Sequence, residues 1–189
     1  MEQYIINKLP NILKLNINIK TLKYISYDNS NNEHLTHSKK TAIDFDKVKD
    51  DYSTKNSLNK NAPKSNDALY ISKNNTHYFI EFKNGNYRNF RKIDLISKIY
   101  DSLFILSDIK YEDGSQYIKN IVDFSKNYIY YILVYNSANN SNRQNYNLRF
   151  YIKSNLGLKK FKKFLLKEIY IYNEKEFEKA LKTKFEIIK

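Results

Sequence analysis

The sequence predicts an α/β domain built on a mixed central sheet, and three observations carry that expectation. Ala68-Leu69-Tyr70-Ile71 and His77 to Lys83 are β-rich runs separated by the polar Ser72-Lys73-Asn74-Asn75-Thr76, the pattern of a hairpin. Phe90, Ile93, Ile96, Tyr100, Leu103, Ile105 and Leu106 then recur at helical spacing from Asn89 up to about Ser107. Asn127 to Tyr135 is an almost unbroken apolar and aromatic run, of the length and makeup of a strand buried on both faces. With 189 residues the chain can bury one sizeable core and is short for two, so residues 1–189 are read as a single domain.

The remaining elements follow in chain order. Tyr4 to Leu15 carries Ile5, Ile6, Leu9, Ile12 and Leu13 at spacings of three and four, which suits a short helix kinked or broken at Pro10. Ser26 to Lys40 and Ser53 to Asn66 are polar and read as loops. Between them, Thr41 to Tyr52 alternates through Ile43 and Phe45 and then carries Asp44, Asp46, Asp50 and Asp51, which suggests a strand running into a helix start. Asn84-Gly85-Asn86 supplies turn chemistry after the hairpin. Asn136 to Asn145 reads as a loop, and Leu148 to Ile152 as a short strand. Leu158, Phe161, Leu165 and Ile169 repeat every three or four residues among lysines, so Leu156 to Ile169 is expected to form a basic amphipathic helix. Glu174 to Leu181 gives a last helix, and Lys184 to Ile188 a final strand.

Composition narrows the chemistry. The chain has no cysteine, which excludes disulfides, thiolate zinc sites and a cysteine nucleophile. Glu2, Asn7, Lys8, Pro10 and Lys14 interrupt the apolar residues of Met1 to Leu15, so no stretch of signal or spanning length is seen there and a cytoplasmic location is expected. The formal net charge of +13 favours nucleic acid as a partner through counterion release. Arginine occurs only at Arg88, Arg91, Arg143 and Arg149, however, and a lysine excess supports attraction to the phosphate backbone more than base readout.

The residues with chemical potential gather at the hairpin. Asp67 begins its first strand, and Glu81 and Lys83 end its second. With a three-residue loop Asp67 faces Lys83, and with a five-residue loop it faces Glu81; either register puts the pair on one side of the sheet. Glu81 and Lys83, two apart, share that side. Two carboxylates at a sheet edge are the oxygen-rich donors that Mg²⁺ (or Mn²⁺) prefers. An ion held there activates water and stabilises the charge of a phosphoryl transition state, and an adjacent lysine orients the water or neutralises that charge.

Asp67 followed at hairpin distance by Glu81-Phe82-Lys83 resembles the D…(D/E)xK signature of the PD-(D/E)xK nuclease superfamily, over Asp67 to Tyr135, about a third of the chain. The resemblance implies a restriction-endonuclease-like core and metal-dependent cleavage of DNA or RNA, in a phage, mobile-element or defence setting. It implies Asp67 and Glu81 as metal ligands, the Phe82 carbonyl as a further ligand, and Lys83 as the catalytic lysine, with Asp67 and Glu81 counted in the catalytic set. The proline that precedes the aspartate in the signature is replaced by Asn66, as is frequent in the superfamily. The upstream acid has no obvious counterpart. Asp46 is the candidate taken, ahead of Asp44 and Glu33; the helix lacks the Q-x-x-x-Y motif of exonuclease-type members.

Several residues have a plainer reading beside the functional one. The acids of Asp44 to Asp51 equally suit a helix N-terminus. His34, His37 and His77 lack metal-ligand spacing and suit surface or turn positions. Arg88, Arg91 and Lys92 open the helix beside the candidate site, where phosphate would lie. Lys159, Lys160 and Lys163, with Lys162 and Lys167, suit nucleic-acid backbone, an anionic membrane surface or plain solvent. Tyr128, Tyr130, Tyr131 and Tyr135 suit base stacking or the core. The main alternative to a nuclease is a catalytically inactive nucleic-acid-binding or interaction module of the same fold. No membrane association is expected, and a homo-oligomer is left open.

Overall fold

The computed structural model describes residues 1–58, 62–140 and 145–184. Its centre is a six-stranded mixed sheet of β1 (Ile19–Thr21), β4 (Thr41–Asp44), β5 (Ala68–Ile71), β6 (His77–Lys83), β7 (Ile129–Tyr135) and β8 (Glu168–Asn173), hydrogen-bonded in that order. Each of the first four strands is antiparallel to its neighbour among them, whereas β7 runs parallel to β6 and β8 parallel to β7. Parallel neighbours need long crossovers, and helices supply them. α5 (Lys92–Asp108) and α6 (Ile121–Tyr128) join β6 to β7, and α7 (Asn145–Asn155) lies between β7 and β8. A separate ribbon of β2 (Tyr27–Asp28) and β3 (Glu33–His34) interrupts the polar Ser26–Lys40 stretch, whose composition predicts loop throughout.

Strand parity divides the apolar residues between two faces. Leu69, Ile71, Phe79, Tyr131, Leu133 and Tyr135 face a core filled by α5, by α7, by α4 (Phe45–Lys55) and by the N-terminal α1 (Gln3–Ile6) and α2 (Asn11–Lys14), the last two separated at Pro10 as expected. Tyr70, Tyr78, Ile80, Phe82, Ile132 and Val134 face the other core, covered by Leu22 of α3 (Leu22–Ile25), Leu35, and Phe177, Ala180 and Leu181 of α8 (Glu174–Thr183). β7 is therefore apolar on both faces and interior to the sheet, as its sequence predicts. Asn173 caps α8 in a reciprocal capping box with Glu176.

Two sequence expectations fail here, and a third segment holds a helix that the sequence pattern does not mark. Leu156 to Ile169 is not a helix: Leu158–Phe161 is a single 3₁₀ turn, entered through Gly157 at φ 68° and left through Lys163 at φ 63°. Both conformations break α-helical progression. The three-residue spacing reflects Leu158 and Phe161 dipping together into the core, after which β8 begins. Leu148 to Ile152 belongs to α7 rather than to a strand, with Leu148 and Ile152 buried one helical turn apart. The helix α6 precedes β7 where the sequence pattern predicts no element, since its Phe124 and Tyr128 merge in sequence with the aromatic run that follows. The strand expected at Lys184 to Ile188 lies outside the described residues beyond Lys184.

A two-carboxylate, two-lysine candidate site

The site is positioned by the β5–β6 hairpin and the middle of α5. Ile71 pairs with His77, so residues 72–76 form a five-residue loop, and extending the register by one pair beyond Ala68–Ile80 sets Asp67 opposite Glu81. Of the two possible loop lengths, the longer one is realised. Odd-numbered residues of β6 face α5, so Glu81 and Lys83 share that face, and Asp67 joins them. Lys83 Nζ lies 2.7 Å from Glu81 Oε1. Asp67 Oδ2 accepts from the Phe82 amide at 2.6 Å, a side-chain-to-backbone bond that ties the start of β5 to the end of β6. The Phe82 ring points to the opposite face, packing edge-on to Phe177 with ring centroids 5.8 Å apart.

Sequence reasoning missed the centre of the cluster. Lys98 Nζ, from the middle of α5, lies 2.9 Å from Asp67 Oδ1 and 2.8 and 2.9 Å from the two Glu81 oxygens. One ammonium thus occupies the point that both carboxylates share. The helix register held a signal for it. Leu95, Ile99, Ser102, Leu103 and Leu106 form the buried stripe of α5, and Lys98 falls inside that stripe, where a charge needs a buried counter-charge. Asn66, immediately before Asp67, is buried and donates its backbone N–H to Ser102 Oγ at 2.9 Å.

Electrostatics follow from burial. Glu81 is 0 % exposed, and burial followed by the Asp67 charge raises its pKa from 4.5 to about 7, against the opposing pull of Lys98 and Lys83. Burial opposes the charge on Lys98, but Asp67 and Glu81 outweigh it and raise its pKa above the usual lysine value, so Lys98 stays charged. The cluster takes up its proton on Glu81, near neutrality. Tyr131, fully buried on the same sheet face, has a hydroxyl with no hydrogen-bond partner, and burial with the nearby Glu81 and Asp67 charges holds its proton firmly.

Asp46 stands in the first turn of α4 and accepts from Ser65 Oγ. Its carboxyl pKa is raised by the crowding around it and by Asp67, although the residue as a whole reaches solvent. Asp44 caps the same helix through the Lys47 amide, and burial raises its pKa. Neither acid bonds to Lys98 or shares its position, and among the described residues no group of three or more His, Cys, Asp or Glu side chains gathers as a metal site.

Of the other expected contacts, Arg88 lies in the 3₁₀ turn Tyr87–Asn89 over the Tyr87 ring, and Arg91 precedes α5 and pairs with Asp94 at 3.3 Å. Lys92 begins α5 and runs toward Gly157, where an added Cβ would come within 2.7 Å of its Cε. Lys159 and Lys160 stand in the 3₁₀ turn and Lys163 just beyond it, so they do not line one helix face. Lys160 covers Tyr100 and Phe161, and Lys162 pairs with Glu168. His77 is buried, its ring nitrogens engaged by the Asn75 carbonyl at 2.9 Å and the Tyr117 hydroxyl at 2.7 Å. No helix among the described residues is long and apolar enough to cross a membrane.

No protein-family model matches the chain, and no curated protein or solved structure matches it significantly.

Proposed function

We propose that the chain is a Mg²⁺- or Mn²⁺-dependent nuclease with a restriction-endonuclease-like core, acting on phosphodiesters at Asp67, Glu81 and Lys83. The observation that carries the reading is the convergence of the Asp67 and Glu81 carboxylates on one cation position, with the Lys83 ammonium 2.7 Å from Glu81. The order of an antiparallel β4–β5–β6 meander, a helix and then a parallel β7 supports it. The donor set fits a hard divalent ion: Lys98 shows that both carboxylates reach one cation, and Mg²⁺ commonly completes two carboxylates with water and substrate phosphate. Such an ion supplies Lewis acidity and an acidified water. Asp67, fixed by the Phe82 amide, and Glu81, fixed by burial, hold the donors in place. Lys83 sets a compact ammonium beside them, where it steadies negative charge on the attacked phosphate, and Glu81, which carries its proton up to about neutrality, would give it up to hold the ion.

Lys98 favours a second reading. Its ammonium already satisfies both carboxylates, as expected of a nuclease-like nucleic-acid-binding module without turnover. Cleavage of plasmid, single-stranded DNA and structured RNA with Mg²⁺ or Mn²⁺ separates the two. The nuclease reading expects Lys83→Ala to retain substrate binding and lose turnover, because an interaction made mainly in the transition state appears in kcat. Parent and variant cleaving equally would overturn the assignment of Lys83. Binding without cleavage by the parent would establish the module instead.

A further inference from the structure

We propose that the cleft between the β2–β3 ribbon and the start of α4 is a nucleobase subsite, and that the substrate is therefore single-stranded nucleic acid; this rests on reading the adjoining carboxylate cluster as a phosphodiesterase. The cleft has a volume of about 800 Å³ and is lined by Tyr24, Tyr27, Asn29, Asn32, His34 and Lys47 on the way to Asp44 and Asp46. Its acidic end adjoins the candidate site, since Asp44 pairs with Ala68, the neighbour of Asp67, and the Phe45 N–H donates to the Asp67 carbonyl at 3.0 Å.

The lining suits a base and its phosphate. Tyr24 is 60 % and Tyr27 39 % exposed, leaving two large rings in water at the mouth of a cleft. Tyr27 and His34, paired across the ribbon, sit with ring centroids 4.7 Å apart. The Tyr27 hydroxyl donates to Asn32 Oδ1, which fixes a ring and an amide relative to one another. Rings offer stacking faces, asparagine amides match base edges, and Lys47 supplies a positive charge within reach of phosphate.

The wall is held in place before any ligand arrives. Asp28 accepts from the Ser30 amide and the Asn31 side chain, shaping the turn, and Asn32 at φ 50° completes it. His34 Nδ1 meets the Lys23 carbonyl at 2.8 Å. Glu33 accepts from Asn136 at 3.2 Å, and Asn136 also donates to Asn84, so the ribbon is moored at the ends of β7 and β6, next to Lys83. A duplex keeps its base faces covered by stacking, and only an unpaired base can present a face to these rings.

The test uses fluorescence anisotropy in EDTA with labelled oligothymidylate, oligouridylate and a duplex of equal length. The single strands should bind more tightly than the duplex. Tyr24→Ala and Tyr27→Ala should each weaken single-strand binding about tenfold, within the range of one base stack removed, and leave duplex binding unchanged. Tyr27→Phe keeps the ring and should keep the affinity. Single strands held equally by the parent and both alanine variants would overturn the subsite, as would a preference for duplex. Because no divalent ion is present, the outcome is independent of turnover. Cleavage lost in Lys83→Ala alongside tyrosine-independent binding would remove the subsite and leave the nuclease reading standing. Tyrosine-dependent binding without any cleavage by the parent would retain the subsite and remove the nuclease.

Discussion

Replacing Lys98 by methionine keeps a long apolar stem and removes the charge at the shared position. Lys98 Nζ lies within 2.9 Å of Asp67 Oδ1 and of both Glu81 oxygens, so the variant leaves two carboxylates facing each other with Lys83 as the remaining ammonium. Removing one partner of a buried ion pair costs about 3–5 kcal/mol. The surviving Lys83 pairing and the 18 % exposure of the Lys98 side chain place this case lower, at about 2–3 kcal/mol. For a chain of this size the melting temperature should fall by about 5–10 °C. Part of the loss depends on pH. Folded Glu81 titrates at about 7 against 4.5 unfolded, so between these values the folded chain binds more protons, and the associated stability is lost as pH rises through that window. Without Lys98 the folded pKa rises further, which adds about 1.4 kcal/mol at most at pH 8 and almost nothing at pH 5, where the carboxyl is protonated in parent and variant alike. Urea denaturation of both proteins at the two pH values measures the difference. An equal loss at both, or no loss at either, would refute the pairing of Lys98 with the carboxylates.

Calorimetric titration should detect Mg²⁺ or Mn²⁺ binding that Glu81→Ala abolishes and Lys98→Met strengthens. Affinity should rise with pH through about 7, because the ion displaces the proton on Glu81; unchanged binding in Glu81→Ala would place the ion elsewhere. Burial lowers the His77 pKa from 6.5 to about 4, so its ring should remain neutral in NMR titrations down to about pH 5; here stability is full above 6.5 and is lost as pH falls toward 4, the opposite sense to Glu81. A ring titrating near 6.5 would show that His77 is not held as described. Replacing Lys159, Lys160, Lys162 and Lys163 together by glutamine should flatten the salt dependence of single-strand binding by about 0.7 for each phosphate left without its lysine. Because Lys162 is already paired with Glu168, the other three lysines set the expected ceiling, and an unchanged slope would show that this turn faces away from nucleic acid.

The parts of the fold legible in sequence are those whose periodicity has a single physical source. The hairpin alternates between two buried faces, α5 carries one apolar stripe, and β7 is apolar throughout because both faces are covered. The segment 156–169 misleads because a 3₁₀ turn also brings residues three apart to one side, so Leu158 and Phe161 imitate a helix that Gly157 and Lys163 interrupt. α7 is hidden by its polar neighbours, leaving Leu148 and Ile152 as its buried marks among the residues described there before Leu156. At the site, Asp67, Glu81 and Lys83 are legible because strand parity and loop length fix which side they occupy. Lys98 escapes any reading of helix periodicity from apolar residues alone, although a lysine in that stripe is itself informative. The ribbon wall is hidden because Ser26–Lys40 forms strands only two residues long, held by turn hydrogen bonds that carry no periodic pattern.

With Glu81 ionised, the charges at the site sum to zero, two carboxylates against two ammonium groups, all carried by the chain. Small metal-built domains are unfolded until their ion arrives, because their ligands repel one another in its absence. Here the neutralising cation is tethered to α5 and comes with the polypeptide. Acquisition of the fold is thereby uncoupled from metal supply, and a chelator that strips a bound ion should leave the tertiary structure standing.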